Sequence, residues 1–419
     1  MRHALSTRVR VKRIFGSRTV VLMVTLALAS VLVAVGCSST PAAAPTTAPT
    51  TAPAKPAATT APAAAPTTAP AAAPSTAPAA PTTAPAASGA TKGDYTIVLS
   101  NSYLGNAWRK TMVANFEEAA KAAVAAGEIK SYSVQNTAQN TATEQVAQLQ
   151  SLILQKPSAI CINAASPTAL NPVIEQAIQA GIKVVVFDSL ATAPDAYTVA
   201  HDFTDVYYRA GTYIAKKLNG QGNVVEVRGV TGSEPDVLIH NGYEKALKEN
   251  PGLKVVGTVH GEASQTTTAQ ALQGLIPSLP KVDAVFNQGG GDAQGVIQAF
   301  QNANRPVPLV VLDGGGNALR WYQGERKTNP NYETISVNTM PSQSTIALWM
   351  AIDLLNGKKV PQHLNNVPPV TITADNLDQW VKATPPDGIA SPVYTHAQAD
   401  QLFADALAGK ELPLPPTPQ

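Results

Sequence analysis

The sequence predicts an α/β fold built from two successive β/α runs, each forming a parallel sheet covered by helices, and three observations lead there. First, residues 159–163 and 183–187 are continuous apolar runs, the pattern of strands buried on both faces. Second, the segment between them opens at Pro167 and closes at Ala180-Gly181, which suits a helix with Pro in its first turn and Gly just past its end. Third, the alternation of strand and helix starts afresh after Asp202, so the chain repeats one architecture twice. Both founding strands end in a polar residue, Asn163 and Asp188. In open α/β sheets, ligands bind just beyond the carboxyl ends of the strands.

The chain of 419 residues begins with a segment of a different kind. Residues 1–36 carry Arg2, Arg8, Arg10, Lys12, Arg13 and Arg18 and no acid, with an apolar run over 19–35. A basic start, an apolar stretch and small residues before a cut describe a secretory signal. Ala34-Val35-Gly36-Cys37 resembles a bacterial lipobox, with Ala in place of the usual Leu three residues before the Cys. The expectation is that residues 1–36 are removed and that Cys37 is lipidated, anchoring the protein on the outer face of the cell membrane. Without that segment, Lys plus Arg falls from 30 to 24 against 28 acids, a net charge of about −4. The basic balance therefore belongs to the leader, and no Lys/Arg footprint for nucleic acid remains. Of the two cysteines, Cys161 sits inside a strand, so neither a disulfide nor a Cys-based zinc site can be built once Cys37 is lipidated.

Residues 38–90 are almost entirely Pro, Ala, Thr and Ser, with Lys55 the one charge. This composition cannot form a core and favours extended conformations. At about 3.1 Å per residue the segment reaches on the order of 150 Å. It reads as a tether over 37–93, or as a glycosylated stalk with the same purpose.

Folding begins near Asp94. The first run predicts strands over 95–100, 131–136, 159–163, 183–188 and 197–200, with helices over 108–126, 143–155 and 168–180. The second predicts strands over 223–228, 254–260, 284–287 and 309–313, with helices over 237–249, 266–278, 293–302 and 317–323. A strand over 334–338 and a helix over 342–355 follow, and periodicity weakens after residue 371.

Chemistry gathers at the strand ends. Asn106, Trp108 and Arg109 follow the first strand, Asn163 the third and Asp188 the fourth. In the second run come Asp292 after Gln288-Gly-Gly-Gly, then Asp313 and Asn338. Carboxylates and amides pair with vicinal hydroxyls while an indole covers the apolar face of a sugar ring. Asn and Asp at these places also cap the helix that follows. The glycine runs 289–291 and 314–316 match neither phosphate-binding pattern, no nucleophile elbow occurs, and no His cluster suggests a metal. No cofactor is expected.

On Tyr-Thr-Ile-Val-Leu-Ser100 with Asn106-x-Trp108, Ile-Cys-Ile-Asn163, Val-Val-Val-Phe-Asp188, Val-Val-Leu-Asp313-Gly and Leu-Leu-Asn-Gly-Lys-Lys-Val near 357, residues 94–369 resemble the ribose-type, type I periplasmic sugar-binding proteins of ABC transporters. The resemblance implies two doubly wound, Rossmann-like lobes joined by three crossings near His201, Asn338 and Pro369. It implies lobes of 94–201 plus 339–370 and of 202–338 plus 371–419. It also implies sugar contacts at Asn106, Trp108, Asn163, Asp188, Asp313 and Asn338, and the Trp108-Arg109 pair is closest to galactofuranose binders. Two departures bear on the second lobe: Ile239 stands where an Arg is frequent, and Gly289-Gly290 replace an Asn-Asp pair, with Asp292 two residues on. The function implied is capture of a sugar or polyol by a monomeric, membrane-anchored receptor that hands it to an ABC permease without covalent chemistry. Alternatives are a sugar sensor for a signalling partner and a secreted carbohydrate-active enzyme.

Overall fold

The computed structural model describes residues 93–418; the signal segment, Cys37 and the tether lie outside the described residues. In the first run, strands β1 (Thr96–Asn101), β2 (Ser131–Asn136), β3 (Ala159–Asn163), β4 (Lys183–Phe187) and β5 (Tyr197–Val199) alternate with helices α1 (Ala107–Ala125), α2 (Ala142–Gln155) and α3 (Asn171–Gln179). The second run comprises α4 (Phe203–Lys217), β6 (Gln221–Arg228), α5 (Glu234–Glu249), β7 (Gly252–His260), α6 (Gln265–Leu275), β8 (Ala284–Phe286), α7 (Asp292–Asn302), β9 (Leu309–Val310) and α8 (Gly316–Thr328). Then follow β10 (Ser336–Asn338), α9 (Gln343–Leu355), β11 (His363–Leu364), β12 (Val370–Ile372), α10 (Leu377–Ala383) and α11 (His396–Leu407). Among the described residues, no helix is long and apolar enough to cross a membrane.

Two parallel sheets result. The first runs β11-β5-β4-β3-β1-β2 and the second β7-β6-β8-β9, and each with its helices forms a lobe. Every residue of β3 is buried, as its unbroken apolar run requires, whereas the edge strand β2 alternates in exposure. Along β1, Ile97 and Leu99 join the cluster under α1 and α9, while Val98 faces the opposite cluster under α2 and α3. That period of two is what sandwiches the sheet between helix layers.

Element boundaries differ where a cap was misread. α5 starts at Glu234, three residues before its predicted start, because Ser233 accepts the Asp236 amide and Pro235 fits the first turn. α3 starts at Asn171 instead of 168, with Pro172 in its first turn. The predicted strand 309–313 shortens to β9, and Leu312 instead bridges Ser336 of β10.

The chain passes between lobes after β5, between β10 and α9, and between β11 and β12. One imidazole joins all three passages. His201 donates through Nδ1 to the Val367 carbonyl (2.5 Å), and its Nε2 accepts the Met340 N–H (3.0 Å). Burial holds this ring well below its ordinary pKa, at about 4, so it stays neutral.

The tail departs from the expected partition. Residues 371–419 were assigned to the second lobe, and α10 does pack on α8 there, but α11 packs on α9 of the first lobe. The reason lies in side chains whose contact is not visible as periodicity. His396 stacks on Trp349 with ring centres 4.7 Å apart, and it bonds Glu128 and Asp353 at 2.9 Å each. Ala399, Leu402 and Phe403 bury the inner face of α11. The segment 385–391 is thus a fourth passage. On one side Gly316 N–H donates to the Gly388 carbonyl and Ala390 N–H to that of Gly314. On the other, Ser391 Oγ accepts from Asn115 Nδ2 and Ser342 N–H, both at 2.9 Å. A Cβ on Gly316 would lie 1.9 Å from the Pro385 carbonyl oxygen, so this close approach requires glycine.

Candidate functional site

A cleft partly open to solvent lies at the carboxyl ends of the strands of both sheets. Its first wall is set by the start of α1. Asn106 Oδ1 accepts the Arg109 N–H (2.8 Å) as the N-cap, and its Nδ2 donates to the Tyr103 hydroxyl (2.8 Å). Capping and site placement are therefore one event, since the cap fixes where Trp108 and Arg109 emerge. Trp108 donates through Nε1 to the Thr339 carbonyl (2.5 Å) across the passage between β10 and α9. Arg109 NH1 donates to Asn101 Oδ1 (2.8 Å), and its guanidinium lies 5.0 Å from the Tyr103 ring centre and 5.7 Å from that of Trp108.

Asp188 faces this group from the end of β4, with φ +60°, a left-handed conformation that only Asn, Asp and Gly adopt readily. Its Oδ2 accepts from Asn163 Nδ2 (3.1 Å) and its Oδ1 from Gln343 Nε2 (3.2 Å). Burial pushes its carboxyl up to about 6, with the Arg109 guanidinium working the other way.

On the second lobe, Asp313 reaches the cleft with its carboxylate already engaged. Oδ2 accepts Gly291 N–H (3.0 Å) and Ala293 N–H (3.2 Å), and Oδ1 accepts Gly315 N–H (3.0 Å). The Gly291 and Ala293 amides open α7 and the Gly315 amide stands at the start of α8, so a carboxylate occupies the place that a phosphate would take at these helix termini. Gly290 beside it has φ +77°, and an added Cβ would lie 2.6 Å from that of Ala263. Its glycine serves a tight turn. Asn338 lines the cleft from the end of β10 and donates Nδ2 to the Ala390 carbonyl.

The structure brings together Asn106, Trp108, Arg109, Asp188, Asp313 and Asn338 along one cleft. It does not bring Asn163 or Asp292 to the lining. Asn163 is fully buried behind Asp188 and orients it. Asp292 is fully buried in the first turn of α7, where its Oδ1 accepts the Thr268 hydroxyl at 2.7 Å and burial raises its pKa well above the usual range. Its position directly after the glycine run, as the first residue of α7, turns it inward, away from the cleft.

Further lining residues lie outside the expected set of ligand contacts, although Ser189 and Gln288 also stand at strand ends. Tyr207, on α4, donates its hydroxyl to the Gln288 carbonyl (3.0 Å). Ser189 Oγ and Gln288 Oε1, both lining and buried, have no hydrogen-bond partner within the protein. Asp236 also lines the cleft but is held by Arg228, through Nε at 3.0 Å and NH2 at 2.8 Å. A Ser-x-x-Asp start to α5 was the available signal for Asp236, whereas nothing in the helical pattern of α4 marks Tyr207 as a lining residue.

Comparison with known proteins agrees with this geometry. The model of the periplasmic binding protein domain matches residues 97–359. The crystal structure of an ABC transporter solute binding protein from Thermobispora bispora DSM 43833 is 43% identical, covers 78% of this chain and 99% of its own, and superposes with a TM-score of 0.73. The ribose import binding protein of Bacillus subtilis (strain 168) is 27% identical over 65% of this chain and 86% of its own length. A xylitol-binding protein of Mycolicibacterium smegmatis is 27% identical over 58% of this chain and 69% of its own. With two parallel-sheet lobes, a polar cleft at their strand ends and a family match across more than half its length, this chain belongs to the periplasmic binding protein family.

Proposed function

We propose that the protein is an extracytoplasmic solute receptor that captures a neutral sugar or polyol in the cleft and delivers it to an ABC permease. The observation that carries this reading is the convergence of Asn106, Arg109, Asp188 and Asn338 beside the Trp108 ring. Arg109 offers donors, Asp188 offers acceptors, and the indole covers apolar C–H groups. Arg109 and Asp188 largely compensate each other, which favours an uncharged ligand over a sugar acid or phosphate. The relatives named for ribose and xylitol support the same class.

Asn163 acts through Asp188, and Asp292 through the α7 turn; neither touches ligand. His201 is committed through both nitrogens to the hinge, which leaves it unsuited to acid–base catalysis. Cys37 carries the lipid that holds the receptor, a monomer, to the outer face of the membrane, with residues 38–90 as tether. Lobe closure over the ligand then presents a surface for the permease.

The test is calorimetric titration of the protein with pentoses, hexoses, furanosides and polyols, after mass spectrometry of whatever copurifies. Binding should raise the melting temperature, with about 2.7 kcal/mol of added stability at 100 times the dissociation constant. Failure of all four classes to bind overturns the assignment.

A further inference from the structure

The second-lobe wall of the cleft carries Tyr207, Ser233, Asp236, Gln288 and Asp313. Its hydroxyls have already donated, Tyr207 to the Gln288 carbonyl (3.0 Å) and Ser233 to that of Val230 (2.8 Å). Its carboxylates are engaged as well. That of Asp236 accepts from Arg228 and from the Gly229 N–H (3.0 Å), and that of Asp313 accepts three backbone amides. Gln288 differs. Its Nε2 donates to the Asp236 carbonyl (3.1 Å), a group that can only accept, which fixes the orientation of the amide. Oε1 is then left without a hydrogen-bond partner within the protein, although the residue is only 7% exposed. It lies beside Gly229, which lines the same cleft. A Cβ there would stand 2.4 Å from Oε1, so glycine makes room for this oxygen.

The lobes already touch next to this amide. Leu190 N–H, just past Asp188 in the first lobe, donates to Glu234 Oε2 (2.8 Å) at the start of α5, two residues before Asp236. A ligand enters before that contact forms and is enclosed with Oε1 when it does. Resting on the reading of the cleft as a sugar or polyol site, we propose that Gln288 is a specificity-determining residue whose Oε1 accepts a hydroxyl of the ligand. The ligand must then carry a free hydroxyl at the position that faces the second lobe. A buried amide oxygen without a donor is costly, and a ligand that lacks this hydroxyl leaves the cost in place.

The experiment takes the tightest binder among D-ribose, D-galactose, methyl β-D-galactofuranoside and xylitol, together with its monodeoxy derivatives. Each is titrated by calorimetry into the full-length wild-type protein, Gln288→Met and Gly229→Ala. The first variant removes the acceptor with little change of volume, and the second keeps every polar group of Gln288 but displaces Oε1. Both should bind the parent compound roughly tenfold to hundredfold more weakly, and combining them should cost no more than Gln288→Met alone. One monodeoxy derivative should lose the same factor in the wild type and lose nothing further in Gln288→Met. Should Gln288→Met fail to fold, the same ratio read in Gly229→Ala decides. Wild-type affinity in both variants overturns the proposal while leaving the sugar-receptor reading intact. So do parent-to-derivative ratios that are the same in wild type and variants, since Gln288 then acts on the fold and not on the ligand. Binding of none of these compounds overturns both readings.

Discussion

Asp188 holds a left-handed backbone, two side-chain amides and a raised carboxyl, and we propose it on these grounds as a ligand contact. Its folded pKa, about 6, exceeds the unfolded value, so the folded state binds the proton more tightly. The resulting stabilisation is present in acid and is lost as the pH rises through about 6. Asp188→Ala should therefore weaken ligand binding by on the order of tenfold to several hundredfold. The stability difference between wild type and variant should shrink by on the order of 2–3 kcal/mol between pH 4 and pH 7.5. Paired calorimetric titrations and melting curves across that range check both; a variant that binds normally and melts early removes Asp188 from the site. Asp313 behaves differently, because three backbone amides already consume its acceptors and its loss would disturb the α7 turn as well as the cleft. At this scale the sequence was legible where a polar residue directly ends a buried strand. Asn163 and Asp292 satisfied that pattern yet point behind the cleft, because a strand end fixes a residue's neighbourhood and not the direction of its side chain. Ile239 was visible as standing where a cation is frequent, whereas α4, which carries Phe203 and Tyr207, was not among the helices expected.

Among the elements, α11 was the one placed in the other lobe from that expected. His396 lies between the carboxylates of Glu128 and Asp353, with Lys358 also 2.8 Å from Asp353. Burial works to lower the imidazole pKa, but the two carboxylates prevail and raise it. A raised histidine stabilises fully below its unfolded pKa, and that contribution fades as the pH climbs through the folded value. Removing the ring by His396→Ala should cost on the order of 1–3 kcal/mol. The loss should be confined to α11 and its contacts on α9. Hydrogen exchange should show faster opening of residues 396–407 in the variant, with a larger gap at mildly acidic pH than at alkaline pH, and unchanged exchange in β3 and β4. Uniform loss of protection would mean that α11 is part of the core. Apart from α4, the strands and helices of the two runs were legible because burial on both sides of a sheet leaves continuous apolar stretches. The tail was not, because stacking of His396 on Trp349 and the charges around it carry no periodic signature.

For the whole molecule, the two lobes were legible in the restart of alternation after Asp202, but the number of passages between them was not. His201 links three of them, and burial keeps it neutral, so that Nε2 accepts from Met340 while Nδ1 donates to Val367. Its folded pKa of about 4 lies below the unfolded value, so its contribution is complete above about pH 6.5 and is lost as the pH falls toward 4. His201→Ala should lower stability by on the order of 3 kcal/mol at pH 7.5, and the difference should nearly vanish by pH 4. Melting curves of the two proteins over that range provide the check, and a difference independent of pH would mean that packing, not the two hydrogen bonds, is what the ring supplies.

The fourth passage also bears on the order in which the molecule assembles. Asn338 reaches the cleft with its amide bonded to Ala390, 52 residues further along, and Ile389 N–H meets the Thr111 hydroxyl across 278 residues. Contacts so remote in sequence close late, because the chain entropy of a long loop is lost before the contact returns anything. A protein exported in the unfolded state must not complete its fold before it crosses the membrane. Making the ligand site depend on residues near 390 delays its completion until nearly all of the chain has been made, and so leaves time for export.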